Sequence, residues 1–240
     1  MPSLPLEVLA SAFALRRKSS FCCGAMMGIL LTGSASHLKA QVKPAPLGSP
    51  AWYQMSRTAV NPTTGKGFGY GYYTEIASLP GPFFNGPPSE STAFFTYRTS
   101  VFQMVPVKTN GDVNSVIVGA DTFDVYLNTS PNRDWNNPDS FSTGVIVATF
   151  TRARFLLPRI WESHGTEYLT LNSSTDFTLN NVTANFANIF TTATMMSSFS
   201  NAPLPGQPGF PGVTASAGCA IVSATGSPSG QEPQWTPPGA

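Results

Sequence analysis

Charge is what this sequence has least of. Lysine, arginine, aspartate and glutamate make up 10% of its 240 residues, against roughly 25% in an average soluble domain. A chain this poor in charge has no basic stripe for a phosphate backbone and no charge run for a membrane surface, which sets nucleic-acid binding aside. The formal charge of +1 overstates the basic side. Arg16, Arg17, Lys18 and Lys39 fall in a segment that reads as removable, and Glu7 goes with them. Nine basic and eleven acidic residues then remain, a net of about −2.

Cysteine and histidine are scarce too. Cys22 and Cys23 lie in the same removable segment, which leaves Cys219 alone. A single thiol closes no intrachain disulfide and builds no cysteine-based zinc site, so the core alone must hold the fold. Set among the small and apolar residues of Thr214-Ala-Ser-Ala-Gly-Cys-Ala-Ile-Val222, Cys219 reads as a buried structural thiol. If cleavage follows Ala40, His164 is the one histidine left. No HExxH or HxH pair occurs, and no Gly-x-Ser-x-Gly elbow. Zinc hydrolysis and elbow-type serine chemistry therefore lack their residues.

Long hydrophobic runs are absent as well. Phe21–Leu31 is an apolar stretch of eleven residues, about 16 Å of helix against a hydrocarbon core of about 30 Å. Arg16-Arg17-Lys18 precedes it, and the small residues of Thr32-Gly-Ser-Ala-Ser36 and Leu38-Lys-Ala40 follow. That order is a secretory signal peptide over residues 1–40, cleaved after Ser36 or Ala40. Leu15 stands where a twin-arginine signal usually carries Ser or Thr, so a general secretory signal is the better reading. Cys22 and Cys23 lack the small residues that precede a lipidated cysteine. The mature chain is expected to be secreted or periplasmic, with no transmembrane segment.

What the sequence does hold is alternation. Residues 41–50 carry three prolines and read as a linker, and Gly226–Ala240, with four prolines and three glycines, reads as a disordered tail. Between them, residues 51–225 repeat a period of two in Thr-, Val-, Tyr- and Phe-rich runs. Phe95, Tyr97, Thr99 and Val101 share one face. Phe123, Val125 and Leu127 share another, with Asp124 and Tyr126 opposite. Asn110-Gly111 is a strong hairpin signal. The spacing of Val182, Phe186, Ile189 and Phe190 suits a short helix, although the surrounding Thr and Asn residues argue against a stable one. The expectation is one all-β domain of seven to nine antiparallel strands, either a sandwich or a closed barrel.

Three stretches carry candidate chemistry. The first is Asn128-Thr-Ser-Pro-Asn-Arg-Asp-Trp-Asn-Asn-Pro-Asp-Ser140, which joins two strand-like runs. Asn132, Asp134, Asn136 and Asp139 supply hard oxygens of the kind calcium prefers, but the Gly and distal Glu of an EF-hand loop are missing and Arg133 sits among them. The same residue types cap turns, so a plain connecting loop explains them without a metal or any other cofactor. Trp135 between Asp134 and Asn136 pairs a ring with amide and carboxylate oxygens, as polysaccharide recognition requires.

The second stretch is Gly65-Lys-Gly-Phe-Gly-Tyr-Gly-Tyr-Tyr73. Its spacing is not that of a phosphate loop, and core packing explains it best. Tyr70 and Tyr72 would add to a sugar-binding surface if exposed. The third is Trp161-Glu-Ser-His-Gly-Thr-Glu167, in which Glu162, His164 and Glu167 would serve a hydrolase or hold one ion if they converged. Asn128, Asn172 and Asn181 head Asn-x-Ser/Thr sequons. The functional expectation is a non-enzymatic structural or binding module at the cell surface or in the periplasm, with weak polysaccharide binding. The alternative is an exported hydrolase using His164 or a carboxylate pair. Oligomeric state is not legible.

Overall fold

The computed structural model describes residues 42–105, 108–111, 113–158 and 163–225. Those residues form twelve strands: β1 (Pro50–Asn61), β2 (Lys66–Ile76), β3 (Phe95–Thr99), β4 (Phe102–Gln103), β5 (Lys108–Asn110), β6 (Val113–Leu127), β7 (Val145–Pro158), β8 (Ser163–Ser174), β9 (Phe177–Leu179), β10 (Val182–Ala184), β11 (Thr192–Leu204) and β12 (Gly212–Ala224). The protein is all-β and antiparallel. β1 pairs with both β2 and β12, and the path β1-β12-β11-β8-β7-β6-β3-β2 returns to its start. Eight strands thus close into an up-and-down barrel. Closure removes the edges that an open sheet exposes to aggregation.

Period-two alternation assigns the two faces of each wall strand. Trp52, Gln54, Ser56 and Thr58 of β1 point inward, while Tyr53 and Met55 point out. Phe95, Tyr97 and Thr99 of β3 are buried as their spacing predicts, but Val101 is exposed. The ladder breaks after Thr99, and Phe102 of β4 takes the inward position instead, beside Gly67. In β6 a bulge between Val118 and Asp121 lets both residues face inward although they are three apart. The Asn110-Gly111 signal marks the β5–β6 hairpin, where Asn110 pairs with Val113 and Gly111 has a φ of 64°.

An aromatic core fills one end of the barrel. Trp52 lies 5.4 Å from Tyr73, 5.7 Å from Phe150 and 5.3 Å from Phe190, and it stacks at 9° on Phe123. An eight-stranded barrel is just wide enough for its own side chains to fill it. The β9–β10 hairpin closes this end, bringing Phe177 and Leu179 onto the same core. The helix suggested near residues 182–190 is a single 3-10 turn, Phe186–Asn188, capped by the Asn185 side chain, and β11 starts at Thr192. Phe186, Ile189 and Phe190 are all buried, so the apolar spacing marked the core rather than a helix face. Residues 42–49 form no strand but dock on the barrel through Ala45 N–H to Ile189 O and Gly48 N–H to Val222 O. Among the described residues no helix is long and apolar enough to cross a membrane. Residues 1–40 and the tail 226–240 lie outside the described residues.

Candidate functional site

The 128–144 connection leaves β6 and folds back over the outer face of β2 and β3. It covers the outward-facing rings of the Gly-aromatic stretch. Phe68, Tyr70 and Tyr72 point away from the barrel interior, opposite Ala59, Arg57 and Met55 of β1. Phe141 packs edge-on against Tyr70 at 5.1 Å, and Trp135 lies 5.8 Å from both Tyr70 and Tyr72. The result is a second small core on the outside of the wall.

Polar contacts pin the loop in place. Thr96 Oγ1 donates to Phe141 O at 2.7 Å, and Arg133 Nη2 donates to Thr143 O at 2.8 Å. Arg98 pairs with Asp139 at 2.7 Å, and the Arg57 guanidinium sits 4.7 Å over the Trp135 ring. Such a cation–ring contact stabilises by about 0.5–1 kcal/mol at an exposed site.

Within this frame the candidate residues separate by role. Tyr70 is fully buried beneath Trp135 and Phe141, and burial raises its phenol pKa. It is the floor of the patch and offers no ring to a ligand, contrary to the expectation that grouped it with Tyr72. Trp135 and Tyr72 are partly exposed, their centroids 5.8 Å apart at 47°, and Phe84 stands edge-on to Tyr72 at 6.0 Å. Asp134 and Asn136 flank Trp135 at the surface.

The two carboxylates weighed for calcium have partners of their own. Asp134 Oδ1 accepts from Asn136 N–H at 2.8 Å, closing a local turn, and Asp139 is held by Arg98. Asn132 is exposed. Among the described residues no three His, Cys, Asp or Glu side chains gather closely enough to hold a metal ion.

The His164 constellation is split by the barrel wall. His164 is exposed on the outside of β8, where its Nδ1 lies 3.3 Å from Ser198 Oγ of β11. Glu167, three positions on, faces the interior. Period-two geometry allows no other outcome for an odd separation within an unbroken strand. Glu162 lies outside the described residues. Cys219 is half-exposed on the outer face rather than buried, because Ala220 takes the inward position beside it.

The interior holds what sequence reasoning missed. Arg152 of β7 donates through Nε and Nη2 to the two carboxylate oxygens of Asp121 at 2.9 and 2.6 Å, and through Nη1 to Glu167 Oε2 at 3.2 Å. Arg154 pairs with the other oxygen of Glu167. All four side chains are at most 4% exposed, so two cations and two anions cancel inside the wall. Burial alone would lower the Arg152 pKa, but Glu167 and Asp121 together outweigh it and raise it. Arg154, buried and next to Arg152, is lowered. Its Nε and Nη1 have no hydrogen-bond partner, but its guanidinium faces the rings of Phe102 at 5.3 Å and Phe199 at 6.0 Å.

Gly69 lies beside these long side chains at ordinary contact distance. A Cβ there would lie 3.8 Å from Arg152 Nη1 and 3.9 Å from Arg154 Nη2. Asp121 and Glu167 are a buried carboxylate pair, and both are bound to arginine. The signal for the cluster was phase: Arg152 and Arg154 continue the face of Phe150, and Glu167 continues that of Leu169.

No family model matches this chain, and no curated protein or solved structure matches it either.

Proposed function

We propose that the chain is an exported, non-enzymatic barrel that binds polysaccharide through the surface of its 128–144 loop, at the cell surface or in the periplasm. One observation carries this reading: Trp135 and Tyr72 are partly exposed rings fixed 5.8 Å apart on a packed aromatic floor, beside exposed Asp134 and Asn136. Sugar C–H faces stack on rings while hydroxyls bond to amide and carboxylate oxygens. Because Tyr70, Phe141 and Arg57 already hold Trp135, little side-chain freedom remains to be lost on binding. The surface is small and the two rings are tilted, so binding is weak. No metal takes part.

Affinity chromatography on a panel of glycans, with and without chelator, tests the reading. Retention on at least one glycan, lost in Trp135→Ala and unchanged by chelator, is the expected result. Equal retention of parent and Trp135→Ala on every glycan reduces the loop to a connection, and loss with chelator reinstates calcium.

The rival reading, an exported hydrolase, draws support from the Ser198–His164 contact, a hydroxyl and an imidazole within reach of each other. A Ser198→Ala variant that keeps full activity in a positive substrate screen removes it.

A further inference from the structure

The 128–144 loop is not the only connection that reaches Tyr72. The chain between β2 and β3, residues 77–94, returns to the outer face of β2 and sets Phe84 edge-on to the Tyr72 ring, at 6.0 Å and 81°. Trp135 meets the same ring from the other connection, at 5.8 Å and 47°. Among the described residues no ring contact joins Phe84 to Trp135, so Tyr72 is the middle of three rings. All three are partly exposed. The connection that carries Phe84 is pinned as the loop is. Phe94 N–H donates to Phe83 O at 3.0 Å, and Thr92 Oγ1 donates to Pro87 O at 2.6 Å.

An exposed amide follows each outer ring, Asn85 after Phe84 and Asn136 after Trp135. Their backbone N–H groups are committed, Asn85 to Thr92 O and Asn136 to Asp134 Oδ1. Among the described residues neither side-chain amide has a hydrogen-bond partner, so both are free to bond a ligand. Tyr72 carries its own hydroxyl.

Charge narrows the ligand. Arg98 is paired with Asp139 and also faces Asp124 across the ladder. Arg57 is turned onto the Trp135 ring, where its Nη1 donates to Trp135 O at 3.4 Å, and Arg133 is only 2% exposed. The carboxylates stand further out. Asp134 and Glu75 are exposed, and Glu90 is partly exposed near Tyr72, whose phenol pKa is raised by burial and then by Glu90. An arriving ligand meets these anions first, a field that turns acidic glycans away.

We propose, resting on the polysaccharide reading of the 128–144 loop, that the ligand is an uncharged, linear glycan whose consecutive sugars lie on Phe84, Tyr72 and Trp135 in turn. Phe84 is then a third binding residue, and Asn85 and Asn136 take hydroxyls of the outer sugars. Rings spaced about one pyranose apart favour an extended chain, since each sugar face stacks on its own ring while its hydroxyls turn to the amides.

Oligosaccharides of two, three and six sugars from cellulose, chitin, xylan, mannan and laminarin, titrated calorimetrically into the full chain, provide the test. Oligogalacturonates of the same lengths form the acidic arm. In at least one neutral series, affinity should rise about fivefold from two sugars to three and by less than about twofold from three to six. Oligogalacturonates should bind at least about tenfold more weakly. Phe84→Ala should erase the step between two and three sugars while leaving the two-sugar affinity within about twofold. Phe84 also packs on the barrel core. Phe84→Leu, which keeps apolar volume there, gives the same reading if the alanine variant does not fold, and the parent's length series needs no substitution. Binding that depends on Trp135 but shows no step at three sugars, or ignores both Phe84 variants, overturns this proposal and leaves the polysaccharide reading standing. Tighter binding of oligogalacturonates overturns the uncharged assignment in the same way. No binding in any series overturns both.

Discussion

Replacing Arg152 by methionine probes the strongest polar feature of the barrel. The substitution keeps an unbranched side chain of similar reach and removes the cation. Three charge-assisted hydrogen bonds go with it, two to Asp121 and one to Glu167. Asp121 is then left in the interior without its partner, and Glu167 keeps only Arg154. The desolvation of those carboxylates is no longer compensated, and breaking one member of a buried pair costs about 3–5 kcal/mol. At 1.4 kcal/mol per factor of ten, the folding constant falls by about two to nearly four powers of ten.

Urea denaturation followed by tryptophan fluorescence measures this directly, with an unchanged m-value showing that the denatured state is not what moved. The double variant Arg152→Met/Asp121→Asn should recover at least about 1 kcal/mol, since the stranded charge is removed. A loss below about 1 kcal/mol in Arg152→Met, or no recovery in the double variant, would refute the reasoning and mean that the interior is wet enough to solvate a lone carboxylate.

Other expectations follow from local geometry. Gly71→Ala puts a Cβ 2.3 Å from Met55 O and 2.8 Å from Ser56 Cα, backbone atoms that cannot give way, whereas at Gly69 the nearest atom is Thr99 Cγ2 at 3.5 Å. Gly71→Ala should therefore lose at least about 3 kcal/mol and Gly69→Ala no more than about 1 kcal/mol, by denaturant melts. Tyr73 and Tyr97 are both fully buried phenols with pKa values raised above 10.0, mainly by burial. A folded pKa raised above the unfolded one gives stability that is complete below about pH 10 and is lost as pH rises above it, because the unfolded chain ionises first. Thermal melts between pH 8 and 11.5 should show this alkaline loss, and a flat profile would contradict it. Trp135→Ala should melt lower than the parent by about 1–3 kcal/mol, since the ring is half-buried against Tyr70, Tyr72 and Phe141.

The strands were legible because period-two alternation is a local property. Phe123, Val125 and Leu127 point inward as their spacing requires. Closure was not legible, since whether β12 returns to β1 is decided by the summed twist and register of eight strands. Exposure of Val101 turns on a break in the ladder after Thr99, and inward Asp121 turns on a bulge at Gly119-Ala120. Gly119 is the residue type that marks such a bulge, whereas the break after Thr99 leaves no such mark.

The candidate site was legible in part. Trp135 in an Asn- and Asp-rich loop marked the place, but the outward rings of β2 that make its floor are distant in sequence, and only the fold unites them with Trp135 and Phe141 of the loop. His164 and Glu167 looked adjacent because sequence proximity hides the parity of a strand. Ser198, the actual neighbour of His164, is 34 residues away on the paired strand.

The proposed function stands or falls on where a sugar touches the barrel. Titration of the ¹⁵N-labelled chain with soluble oligosaccharides of the retained glycan, followed by amide and indole shifts, reads this without any substitution. The account predicts saturable shifts at the Trp135 indole N–H and at the amides of Tyr72, Asp134 and Asn136. The β8–β11–β12–β1 face and the Arg152 cluster should stay still. Shifts centred on the barrel interior or on the His164–Ser198 face, with Trp135 unmoved, would contradict it.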